Sequence, residues 1–154
     1  MAYAETTTVS VEKSISEIVA LIKKAGAARI AQVDEPGSFA MQFFLNERML
    51  RFRVQFPSID DVPKLDHRGY LLSADQRSKK VLQRQRQRAR ALLLVIKAKL
   101  ESVESGVETF EEAFLPNIVL PGGETVGDFM LPQVERAYIE GTPPSLLALP
   151  APSQ

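Results

Sequence analysis

The chain has 154 residues, 45% of them hydrophobic and 25% charged, and a formal net charge of zero. That composition excludes an intrinsically disordered chain and suffices for one domain with its own core. The absence of cysteine excludes disulfides and thiolate metal centres. No apolar run is long enough to span a bilayer, and no secretory signal pattern is present, so the expectation is a soluble protein with no membrane partner.

Residues 1–13 read as a polar lead and an edge strand, with Thr6, Thr7, Thr8, Val9 and Val11. Ser14 and Glu17 have the spacing of a capping box, in which a hydroxyl and a carboxylate satisfy the free amides of a first helical turn. Ile15, Ile18, Val19 and Ile22 then share one helix face, and Gly26 ends the helix.

Three strand patterns follow. Arg29–Val33 is the first, and Glu35-Pro36-Gly37 turns the chain. In the second, Phe39, Met41, Phe43 and Leu45 alternate with Gln42 and Phe44. After Asn46-Glu47, Leu50, Phe52, Val54 and Phe56 alternate with Arg51, Arg53 and Gln55. Period-2 alternation predicts one buried and one wet face. Residues 57–72 read as a long loop of functional or mobile character.

Ser73–Gly106 is expected to be one long helix. Ser73 and Gln76 form a capping box, and no Pro or Gly intervenes before Gly106. Leu82, Ala89, Leu93, Ile96, Leu100 and Val103 make an apolar stripe at helical spacing. Arg77, Lys80, Arg84, Arg88 and Lys99 fall opposite it, and Lys79, Arg86, Arg90 and Lys97 flank it. The stripe partly follows a heptad, which allows a homodimer.

Thr109 and Glu112 form another capping box, for a short helix ending before Pro116. Ile118–Leu120 reads as a short strand, Pro121-Gly122-Gly123 as a turn, and Thr125 as the cap of a last helix to about Tyr138. Residues 1–140 form a single domain in this reading. Residues 141–154 form a Pro-rich tail with four of the ten prolines, expected to be extended and either docked by Leu146, Leu147 and Leu149 or partly disordered. The expected fold is α+β: a three- to four-stranded antiparallel meander packed against a helix and one long basic, amphipathic helix, with a mixed helical C-terminal segment.

Neutrality hides segregation. Residues 1–100 carry 18 Lys and Arg against 10 Asp and Glu, whereas 101–154 carry 1 against 9. Either the acidic end folds back on the basic part, or a basic surface faces an anionic partner. In the second case Arg77, Lys80, Arg84, Arg86, Arg88 and Arg90 offer guanidinium forks and ammonium groups to phosphates, with Arg51 and Arg53 extending the surface. Phe44 is the one aromatic placed to stack on a base. Asp60, Asp61, Asp66 and His67 are the one cluster with metal-ligand chemistry, which would make the protein a metal-dependent nuclease. The Pro121–Gly127 stretch lacks the lysine and spacing of a phosphate loop and reads as a turn. No cofactor is implied, and no nucleophile elbow accompanies the single histidine.

VSVEKS (9–14), RARALLLVIKAKLESVESGVETFEEAFL (88–115) and LPGGETVGDFMLPQVERAY (120–138) resemble a family of small accessory proteins encoded by bacteriophages and prophages. The resemblance implies a phage accessory role in the host cytoplasm. It brings no assigned activity and so no functional residues. Its partners are then nucleic acid or, alternatively, a host protein complex that the protein inhibits or adapts, as a counter-defence protein of the anti-CRISPR kind does. The order helix, three strands, helix is also that of double-stranded RNA-binding domains, an analogy of topology alone.

Overall fold

A computed structural model describes residues 4–143. Helix α1 (Val11–Lys24) leads into a β1 (Ala28–Glu35), β2 (Ser38–Leu45), β3 (Arg48–Gln55) meander. The long helix α2 (Ala74–Glu104), the short α3 (Phe110–Phe114) and α4 (Val126–Glu140) follow. The fold is α+β, with one three-stranded antiparallel sheet in the order β1-β2-β3.

The alternation in β2 decides where the core lies. Phe39, Met41, Phe43 and Leu45 are all buried and face α1 and α2. Their β3 partners in register are Val54, Phe52, Leu50 and Arg48, so the apolar stripes of the two strands coincide. Ile18 and Ile22 from α1, Ala89, Leu92, Leu93 and Ile96 from α2, and Phe114 from α3 close the layer. Phe52 stacks on Phe43 and meets the edge of Phe114, with centroids 6.0 and 6.3 Å apart. Each fully buried Phe, Ile, Leu or Met contributes roughly 1.5–3 kcal/mol through removal from water.

The N-terminus corrects the sequence reading. There is no strand among residues 4–10. Ser10 caps α1 by accepting from Lys13 N at 3.1 Å, one turn earlier than expected. Val11 extends the stripe Ile15–Ile18–Ile22 backwards at spacings of 4, 3 and 4, and that periodicity outweighs the strand propensity of the threonines. Ser14 is therefore interior to the helix, fully buried, and its hydroxyl has no protein partner.

Helix α2 begins at Ser73, whose Oγ accepts from Gln76 N at 3.1 Å while Gln76 returns a carbonyl to Ser73 N at 2.9 Å. It runs 31 residues, about 46 Å. Its buried residues all lie between Ala89 and Ile96. Leu82 was expected on the buried stripe but is 44% exposed, because the sheet ends short of it.

Residues 57–72 are a folded strap. Pro57 and Val62 are buried. Ser58 N and Oγ both donate to Asp61, and Leu65 bridges Leu71. Beyond α3, Ile118 and Val119 pair briefly with the outer edge of β3, with Val119 N 2.8 Å from Met49 O. The Pro121–Gly123 turn then leads to Thr125, which caps α4. The expected contacts of Leu146, Leu147 and Leu149 lie outside the described residues.

Candidate nucleic-acid interface

The first fifteen residues of α2, Ala74–Arg88, contribute no side chain to the core. They hold six cations, Arg77, Lys79, Lys80, Arg84, Arg86 and Arg88, against one acid, Asp75. This half of the helix lies beyond the sheet, held between the strap and residues 5–7. Gln83 Nε2 donates to the carbonyls of Glu5 at 3.1 Å and Thr7 at 2.7 Å.

Arg77, Arg84 and Arg88 recur at spacings of 7 and 4 and so share a face. They do not point freely outward as expected. Arg77 donates to Ile59 O at 2.6 Å, Arg84 to Asp61 O at 2.8 Å, and Arg88 to Gln55 O. The partners are backbone carbonyls, which leave the positive charge intact and each guanidinium with further donors. The strap thus orders Arg77 and Arg84, and the end of β3 orders Arg88, without neutralising them. The exception is Asp61. Hydrogen bonds from the Ser58 backbone, then from its hydroxyl, hold its carboxyl below the ordinary aspartate range, with Arg88 and Arg84 adding attraction.

The other candidates divide. Arg90 is spent on an ion pair with Glu17 of α1. Lys79 pairs with Asp75 one turn back at 3.1 Å, both side chains largely exposed. Lys80 is exposed. Arg86 is half-buried, and its Nε has no protein partner. Arg51 and Arg53 do not extend the surface. They alternate with the buried Leu50 and Phe52, so they lie on the sheet face turned away from α2. Arg51 forks onto Gln42 Oε1 at 2.9 and 3.1 Å and reaches Gly123 O at 2.8 Å, tying the C-terminal turn to the sheet. Arg53 stands exposed on that far face. Phe44 is not a free stacking platform, because the Arg29 guanidinium covers its ring at 5.5 Å.

Lys64 and Arg68 were not singled out in the sequence, yet both are exposed on the strap that flanks the helix. The signal was there: they fall in the segment leading directly to Ser73. The acids of that segment do not gather. Asp61 is held by Ser58, and Asp66 Oδ1 accepts from Arg68 N at 2.8 Å and Tyr70 N at 2.9 Å. Among the described residues no group of three His, Asp or Glu side chains is arranged to hold a metal ion.

The described part of the acidic C-terminal segment makes no ion pair with the basic half of α2. Among the described residues its only ion pair is Glu111 with Arg48, at 3.4 Å. Glu108 binds Ser102 and Glu112 caps its own helix. No described helix is long and apolar enough to cross a membrane. No known protein family, no curated protein and no solved structure matches the chain.

Proposed function

We propose that this protein is a non-enzymatic nucleic-acid-binding protein that grips the phosphate backbone through the N-terminal half of α2. One observation carries the reading: six cations stand on a helical segment outside the core, and among the described residues only Lys79 is in an ion pair, with Asp75 of the same helix. The carbonyl contacts of Arg77, Arg84 and Arg88 support it further. Side chains already held in place lose less rotamer entropy when a phosphate arrives. The exposed segment spans about 22 Å, enough to follow several successive phosphates. The basic surface is Arg77, Lys79, Lys80, Arg84, Arg86 and Arg88, flanked by Lys64 and Arg68. Phosphate contact without a stacking aromatic on the helix favours backbone recognition over base readout. The setting that the resemblance implies is a phage or prophage accessory protein in its host cell.

The test is binding of duplex and single-stranded oligonucleotides across a salt series. Affinity falls steeply as salt rises, and Lys80→Ala or Arg86→Ala each shallows the log–log slope by about one. Absent binding, or binding indifferent to salt and to these substitutions, overturns the reading.

A further inference from the structure

Two surfaces of the chain combine exposed apolar side chains with unpaired charge, and their charges are opposite. The first is α4. None of its residues is buried. Asp128, Leu131, Glu135 and Tyr138 recur at spacings of 3, 4 and 3, and Ile139 adjoins them, so they share one helix face. Leu131 is 66%, Tyr138 87% and Ile139 78% exposed. The other side of α4 meets the turn at Leu115–Asn117, and Gly127 lies directly against Pro116. The outward face is thus an apolar strip studded with carboxylates, and among the described residues neither Asp128 nor Glu135 is in an ion pair.

The second surface is the tip of the strap. Leu65, Tyr70 and Leu71 are exposed there, Leu71 by 79%, on the same short stretch as the exposed Lys64 and Arg68. The tip is rigid. Asp66 N donates to Tyr70 O at 2.8 Å, and the Asp66 carboxylate accepts two backbone amides, so its charge is directed inward to the turn. A hydrogen-bonded apolar knob flanked by cations loses little conformational entropy on docking.

Both surfaces are exposed, so they do not cover each other within one chain. We infer that they cover each other between chains: the acidic face of α4 on one copy docks on the basic strap tip of a second. Carboxylates at Asp128 and Glu135 meet Lys64 and Arg68 around a contact of Leu131, Tyr138, Leu71 and Leu65. Zero net charge means no overall repulsion opposes the approach. Because the two surfaces differ, the contact is heterologous. It closes into a reciprocal dimer or continues into a longer series. It uses neither Lys80 nor Arg86 and needs no nucleic acid to form, although Lys64 and Arg68 also flank the basic surface of α2.

The test is sedimentation velocity of the nuclease-treated full chain over a hundred-fold concentration range, at low and high salt. Reversible association is expected, weakening at high salt. Leu131→Asp and Glu135→Lys each weaken it about tenfold or more while circular dichroism stays unchanged, since both side chains are exposed. Adding Arg68→Glu to Glu135→Lys restores association, because each copy then presents re-matched charges. A monomer at every concentration, association lost on nuclease treatment, or a double reversal as weak as the single one overturns the inference.

Discussion

Arg90 of α2 closes an ion pair with Glu17 of α1, across the seam where the two helices pack. The pair removes one cation from the basic run, and it gives a structural duty to a residue that looks like its neighbours in sequence. The side chains are 28% and 41% exposed, so solvent screens the attraction. A double-mutant cycle of Arg90→Ala and Glu17→Gln by chemical denaturation is expected to give a coupling of about 0.5–1 kcal/mol. Oligonucleotide affinity should change little in Arg90→Ala, in contrast to Arg86→Ala.

Asp61 makes the strap sensitive to acid. Its carboxyl ionises below the ordinary aspartate value because the folded state supplies Ser58 as hydrogen-bond donor. The folded state therefore binds fewer protons than the unfolded chain in that window, and stability rises with pH there. The contribution is whole above about pH 4 and is lost as pH falls through the depressed value. Thermal unfolding followed from pH 6 down to pH 2 should show a steeper acid limb in the wild type than in Asp61→Asn. Identical limbs would remove Asp61 from the account.

The β2–β3 turn is built from the wrong residue. Asn46 and Glu47 both take positive φ, 50° and 62°, the pattern of a two-residue hairpin turn that favours Asn-Gly. Glu47 pays the Cβ penalty of that conformation. Glu47→Gly should raise stability by about 0.5–1 kcal/mol, read as a shift in the denaturation midpoint at constant slope.

Gly127 sets how closely α4 approaches the preceding turn. A Cβ there would stand 2.9 Å from Pro116 O, a backbone atom that cannot swing aside. Ala ordinarily gains about 1 kcal/mol over Gly inside a helix. Here the clash should outweigh that gain, so Gly127→Ala is expected to lower hydrogen-exchange protection in α4 selectively and leave the sheet unaffected.

Local periodicity carried much of the fold. The α2 boundaries follow from Ser73, Gln76 and Gly106, and the meander from strict alternation in β2 and β3. The caps at Thr109 and Thr125 were equally plain. What could not be read was where long side chains end. Arg77, Arg84 and Arg88 sit where a helical wheel puts solvent, and only the folded strap and the end of β3 bring carbonyls to them. Ser14 and Glu17 carry a capping spacing one turn inside the true helix, because Glu17 is instead matched to a residue 73 positions away. Leu82 continues the stripe arithmetically, but the sheet beneath it has already ended. Side-chain destinations across long sequence separations are tertiary properties that neither propensity nor spacing encodes.

The sheet has two margins, and each is closed in its own way. Along β3 the segment Asn117–Val119 occupies the Met49 and Arg51 carbonyls that a foreign strand would need. Along β1 the register slips between Ala28 and Ala31, Arg29 is forced to a φ of 53°, and Asp34 and Glu35 sit at the strand's far end. A kinked, acid-tipped margin is a poor template for ladder growth. If copies of this chain stack, they do so through side chains and not by lengthening the sheet, and the fold is guarded against fibril formation by that route.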